Sequence, residues 1–256
     1  MTTELHPLIS LHGKKGLVLG LANEHSIAWG CARTLHACGA QIVTTCLNDK
    51  ARAHVEPLVV PLGIPLLNCN LDTPDDLACA VNNAAQRLGG IDFVIHSIAW
   101  APLSDLHGPV LDSSRDGFAR AMSVSCHSFA ELARLCLAHM PQGGSLLTMS
   151  YLGAEVAVPH YGLMGPVKAA LESMVRYLAL ELKDGKPLDP VARFHLGNGA
   201  RVERLNWAAD PSAKGFKQSY GLMVNYLYDP KKLDKNRAAL AQSKIPVAPA
   251  IKDLLP

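Results

Sequence analysis

Short apolar runs alternate along this chain with stretches in which apolar residues recur every three or four positions. Gly16 to Leu21 (GLVLGL), Gln41 to Thr45, Ile64 to Cys69, Phe93 to His96 (FVIH) and Ser145 to Ser150 (SLLTMS) read as buried strands. Ser26 to Cys38 reads as a helix with Ser26 as N-cap. Thr73 to Leu88 reads as another, with Thr73 as N-cap, Pro74 in the first helical position and Gly89-Gly90 ending it. Asp112 to Met140 carries helical periodicity, and a last helix runs from near Pro159 or Tyr161 to Leu182. Strands alternating with helices predict an α/β fold: a doubly wound parallel sheet with right-handed crossovers and a ligand at the carboxyl ends of its strands.

Composition adds exclusions. Of 256 residues, 49% are hydrophobic and 18% charged, which is a globular balance. No apolar run reaches the roughly 20 residues that span a bilayer. Glu4 stands where a secretory leader carries positive charge, so secretion is not expected and a cytoplasmic location is. The net charge of +2 gives no reason to expect nucleic acid. The seven cysteines are Cys31, Cys38, Cys46, Cys69, Cys79, Cys126 and Cys136. No two are spaced as a pair of ligands, so they read as small buried hydrophobes, and no metal is expected.

The charge is unevenly placed. Up to Leu182 there are 11 basic and 15 acidic residues; after it there are 13 and 7. The segment after Leu182 also has no cysteine. These shifts mark a candidate boundary, dividing the chain into 1–182 and 183–256.

Candidate chemistry lies in the first segment. After the first strand, Gly20 to Gly30 (GLANEHSIAWG) forms a strand-to-helix turn of the kind whose backbone N–H groups face a pyrophosphate. The usual glycine triplet is absent, and an ordinary turn is the alternative. Tyr161 and Lys168, seven apart, would lie on one face of a helix about 10 Å apart along its axis. A phenol beside an ammonium can protonate an enolate oxygen, and the ammonium can hold ribose hydroxyls. The alternative is an exposed polar face. Tyr151 sits just past the fifth strand.

Three segments carry a resemblance: GLVLGLANEHSIAWG (Gly16 to Gly30), IHSIAWAP (Ile95 to Pro102) and SYLGAEVAVPHYGLMGPVKAALE (Ser150 to Glu172). The chain up to Leu182 resembles the NADH-dependent enoyl-acyl-carrier-protein reductases of bacterial fatty-acid synthesis, a divergent branch of the short-chain dehydrogenases. The Tyr-x6-Lys spacing is specific to that branch; Gly165 occupies the position that the wider superfamily gives to lysine. The resemblance implies a Rossmann-type sheet and an NADH cofactor. Its substrate would be an acyl-carrier-protein or coenzyme A thioester, and the chain would form a homo-oligomer. Gly20, Ser26 and Ile27 would line the pyrophosphate, Leu47, Asn70 and Leu71 the adenosine side, and Ile98 the cofactor. Ala101 would touch the acyl substrate. Tyr161 would stabilise the enolate oxygen, Lys168 would hold the nicotinamide ribose, and Tyr151 would be the accessory tyrosine. The family often has Gln at Leu47 and Asp at Asn70, and both departures imply weaker cofactor affinity.

After Leu182 the family's last two strands are not visible. FHLGNGA (Phe194 to Ala200), LNWAAD (Leu205 to Asp210) and GLMVNYLY (Gly221 to Tyr228) instead resemble the C-terminal end of malonyl-CoA decarboxylases. His195 would match that family's catalytic histidine, and Tyr228 a tyrosine near its site. The serine partner belongs to a segment this chain lacks. Three functions therefore stand: the reductase, a decarboxylase-related or coenzyme A thioester-binding fragment, and a non-catalytic chimera.

Overall fold

The structure is a computed structural model. It describes residues 10–180, 182–183, 186–187, 190–206, 223–242 and 244–252. The chain divides into two compact units, Met1–Met174 and Val175–Pro256.

The first unit is built on five parallel strands: β1 (Lys15–Leu21), β2 (Gln41–Cys46), β3 (Leu66–Asn68), β4 (Phe93–His96) and β5 (Ser145–Thr148). Their order is β3-β2-β1-β4-β5, with the reversal of order between β1 and β4. Alternate residues of each strand serve opposite faces. Leu17, Leu19, Val43 and Val94 pack with α3 (Asp76–Leu88) and α6 (Ser128–Cys136). Val18, Ile42 and Ile95 pack with α1 (Ile27–Ala37) and α2 (Asp49–Val59). Leu21 joins the second face, although strict alternation from Leu17 and Leu19 would place it on the first. The ladder between β1 and β2 shifts register between Val18 and Leu21, where Gly20 has φ +95°. That left-handed residue turns the chain over and delivers the β1 end to the crevice.

Several expected elements are corrected. The third strand is shorter than Ile64 to Cys69 and the fifth shorter than Ser145 to Ser150: among the described residues both lie at sheet edges, and none of their residues is fully buried. The sequence pattern missed α2: its buried stripe is only Val55 and Val59, and Pro57 interrupts it. Neither Thr73 nor Pro74 begins α3. The helix starts at Asp76 behind Asp75, whose φ is +66°. The Asn70 side chain accepts from Asp72 N–H and the Asp76 carboxylate accepts from Asn70 N–H, so residues 70–75 fold as turns instead.

After α4 (Leu103–His107), the expected helix of Asp112 to Met140 is four pieces: α5 (Arg115–Met122), a π turn at Ser123–His127, α6, and a 3-10 turn at Leu137–His139. In the π turn the Ser128 N–H reaches the Ser123 carbonyl. Serine hydroxyls compete with the helical ladder here: Ser128 Oγ donates to Val124 O at 2.7 Å. The last helix of the unit, α7, spans Met164–Leu180, so its first half lies in the first unit and its last turns in the second. Tyr161 therefore precedes the helix, and the shared helical face expected for Tyr161 and Lys168 does not exist.

The second unit has its own small core of Leu196, Val202, Ala248 and Ile251. Helix Pro190–Gly197 precedes an antiparallel pair, Arg201–Asn206 with Met223–Leu227. A two-residue pair, Leu182–Lys183 with Lys186–Pro187, forms a separate sheet. Among the described residues none of these strands joins the five-stranded sheet. Parts of LNWAAD and GLMVNYLY fall outside the described residues.

Candidate active site

The expected site residues of the first unit gather at the carboxyl ends of the strands. Gly20 is the second-to-last residue of β1, and Ser26 and Ile27 stand at the start of α1. Leu47 follows β2, Asn70 and Leu71 follow β3, Ile98 and Ala101 follow β4, and Tyr151 follows β5. A Cβ at Gly20 would stand 2.1 Å from the Ser97 carbonyl oxygen, so glycine is required by contact with the post-β4 loop as well as by φ. Ser26 occupies the N-cap position in extended conformation, but its hydroxyl donates to Asn23 O at 2.7 Å and caps no helical N–H. Ile27 is 63% exposed and Leu47 is 49% exposed. Two bare apolar side chains at strand and helix ends leave a surface against which a planar ligand can lie. The glycine turn, the start of α1 and these apolar residues fit a dinucleotide.

Lys168 is buried although it is a lysine. It sits on the apolar stripe of α7 with Met164, Val167 and Leu171. Its ammonium donates to Met149 O at 2.6 Å, just past β5, and burial lowers its pKa. Tyr161 packs on Tyr151, with ring centroids 4.6 Å apart and planes at 54°. Burial, then proximity of Tyr151, raises the Tyr161 pKa, keeping the phenol protonated as a donor. Gly153 makes room for that ring: a Cβ there would lie 2.3 Å from Tyr161 Cδ1. A cavity of about 440 Å³ opens beside Tyr161, lined by Val110, Val156, Val158 and Pro166 among others. Ser150 donates to the carboxylate of Glu172, tying the post-β5 segment to α7 a turn beyond Lys168.

Sequence reasoning missed a buried polar set beneath the lysine. His96, the last residue of β4, is fully buried. Its Nδ1 lies 3.0 Å from Thr148 Oγ1 and its Nε2 lies 2.8 Å from Ser128 Oγ. Burial, with Lys168 as the second cause, lowers its pKa to about 4, so the ring is neutral. The signal in the sequence was a polar residue ending the run FVIH. A second missed group lies in the open. The Arg120 guanidinium stacks 4.0 Å from the Trp100 ring centroid and pairs with Asp72. Trp100 in turn is hydrogen-bonded through its main chain to Ser125. Among the described residues no three His, Cys, Asp or Glu side chains gather as a metal site.

In the second unit, His195 and Tyr228 do meet. His195 Nδ1 is 2.9 Å from Tyr228 Oη, and the imidazole stacks on Tyr226 at 4.5 Å with planes 13° apart.

A family model described as enoyl-(acyl carrier protein) reductase matches residues 20–186, and one described as malonyl-CoA decarboxylase C-terminal domain matches residues 160–256. The enoyl-acyl-carrier-protein reductase (NADH) 1 of Rhizobium meliloti strain 1021 is 43% identical over 173 residues, covering 67% of this chain and 64% of the relative. The chain thus spans just under two thirds of that relative's length. The corresponding reductase of Rickettsia felis is 36% identical over 228 residues, covering 85% of this chain and 86% of that one. A crystal structure of the Anaplasma phagocytophilum reductase in complex with NAD superposes with a TM-score of 0.64 at 39% identity. It covers 67% of this chain and 66% of that one. By these matches the chain belongs to the enoyl-(acyl carrier protein) reductase family.

Proposed function

We propose that this protein is an NADH-dependent enoyl-acyl-carrier-protein reductase of cytoplasmic fatty-acid synthesis. The observation that carries this is a protonated Tyr161 packed on Tyr151 at the same sheet end as the anchored ammonium of Lys168. The cofactor, when bound, supplies a hydride to the β-carbon of a trans-2-enoyl thioester. The chain's own work is to receive the charge this creates. Tyr161 places a phenol hydrogen where the enolate oxygen develops, an arrangement worth most in a site closed to water. Tyr151 buttresses that ring, and Lys168 holds the nicotinamide ribose from its seat on Met149. Gly20, Ser26 and Ile27 line the pyrophosphate, and Leu47, Asn70 and Leu71 the adenosine. Ile98 would contact the cofactor, and Ala101 would border the acyl chain. The names of the relatives support NADH and a carrier-protein substrate. The reading includes a homo-oligomer, coenzyme A thioesters as alternative substrates, and a division of roles between 1–182 and 183–256.

The test is loss of NADH absorbance with a short enoyl thioester. Tyr161→Phe should reduce kcat by about a hundredfold or more, the scale of one lost oxyanion donor. Equal rates in the two proteins would exclude the assignment.

The contact between His195 and Tyr228 favours a second reading, in which the C-terminal unit is a decarboxylase-related or thioester-binding fragment. Release of carbon dioxide from malonyl-CoA supports it. Absence of both activities, with no NADH-dependent thermal shift, leaves the non-catalytic chimera.

A further inference from the structure

We propose that Ser125 is a positioning residue for the loop after β4, and that it sets where Ile98 and Ala101 stand by clamping the main chain of Trp100. The inference rests on the roles proposed above for Ile98 and Ala101.

The loop from Ser97 to Pro102 is irregular, so the main-chain groups of Trp100 have no ladder partner. Part-buried groups of this kind need partners from elsewhere. One atom supplies both. Ser125 Oγ accepts from Trp100 N–H at 2.7 Å and donates to Trp100 C=O at 2.9 Å. A hydroxyl is the smallest side-chain group that can donate and accept at once.

The clamp sits in the π turn. Val124, Ser125, Cys126 and Ser128 are all buried. The widened turn, closed by the bond from Ser128 N–H to Ser123 O, presents Ser125 to Trp100 and Ser128 to His96 together. Such bulges recur at functional sites. The indole is fixed separately, under Arg120, which Asp72 holds from the loop after β3. Trp100 is thus held by main chain and side chain from two different elements. Ser97 is the other fixed point, through its N–H to Leu19 O at 3.2 Å and its close contact with Gly20. Ile98 lies just beyond the first anchor and Ala101 just beyond the second.

The test uses the full chain as wild type, Ser125→Ala and Ser128→Ala. Ser128→Ala also removes a buried hydroxyl, at the residue that follows the π turn, but spares Trp100. Amide hydrogen exchange should accelerate at Trp100 by about tenfold or more in Ser125→Ala. Val94 and Ile95, in the β4 ladder, should exchange as before, and Ser128→Ala should leave Trp100 protected. With NADH and a short enoyl thioester, Ser125→Ala should raise KM for both by about tenfold while kcat changes little, the signature of lost binding geometry. Ser125→Thr, which retains the hydroxyl, should restore both readouts. The proposal is overturned if Trp100 exchange is unchanged in Ser125→Ala, or if acceleration spreads through β4 in both variants. It is equally overturned if KM and kcat shift alike in the two. Should Ser125→Ala not fold, Ser125→Cys keeps the volume with a weaker donor and must show the same selective acceleration. A wild type that oxidises no NADH would remove the reductase reading, and the exchange result would still decide the clamp.

Discussion

Acid should unfold the first unit through His96. In the unfolded chain this imidazole takes a proton near pH 6.5; in the folded protein it does so only near pH 4. Between these values the unfolded state binds more protons. The contribution of the neutral, buried ring is therefore complete above about pH 6.5 and is lost as pH falls toward 4. At about 1.4 kcal/mol per pH unit, the interval amounts to about 3 kcal/mol, a large fraction of the stability of an ordinary domain. Other groups contribute to acid unfolding, so the informative quantity is a difference. Urea unfolding followed by circular dichroism, for wild type and His96→Gln between pH 4 and 7.5, isolates it. At pH 7.5 the variant should be less stable by about 1–3 kcal/mol, since Thr148 and Ser128 lose a shaped partner. That gap should close as pH approaches 4, because wild type loses what the variant never had. Lys168 is the second cause of the depressed pKa, so Lys168→Met should raise the folded-state pKa toward 6.5 and shrink the stability lost to acid. A gap of equal size at pH 4.5 and 7.5 would refute the account of His96 as a neutral, buried wedge.

Three further outcomes follow from the site. Gly20→Ala combines a left-handed φ with a Cβ driven into Ser97 O, and should cost about 2 kcal/mol or more in urea unfolding while also weakening the NADH-dependent thermal shift. Gly153→Ala should displace the Tyr161 ring and lower kcat by about tenfold or more, with little change in midpoint temperature; unchanged turnover would show that the ring position is immaterial. Asn70→Asp puts a carboxylate at a residue proposed above to face the adenosine and should tighten NADH binding several-fold by calorimetry, while an unaltered Kd would separate this residue from the cofactor.

The central strands were legible because burial on both faces demands a continuous apolar run. That argument found β1, β2 and β4 nearly to the residue. It weakened at the edges, where β3 and β5 are half-wet and shorter than their apolar runs suggest. The tyrosine and lysine were legible as a spacing, yet the reason given was wrong. The chain turns at His160, with φ +60°, and helix α7 starts only at Met164, so the two residues meet the crevice from a turn and a buried stripe. His96 and Ser125 escaped notice because their meaning lies in partners far along the chain. His96 needs Thr148, 52 residues on, and Ser125 needs Trp100, 25 residues back. No local pattern encodes those distances. Only the π turn, with serines at 123, 125 and 128, hinted that a helix there would give up regularity for side-chain bonds.

Among the described residues, β5 pairs on one side only, with β4. Its end nevertheless supplies the carbonyl that seats Lys168 and the hydroxyl that meets His96. Edge strands open at a lower free energy than central ones. Local opening of the β5 end would therefore release the ammonium and unpin the imidazole in one event. Electrostatic order at the site and the fraying of a single short strand become the same variable. Amide exchange along Ser145–Thr148 thus reports, without substrate or cofactor, how often the strand beside that lysine's seat opens.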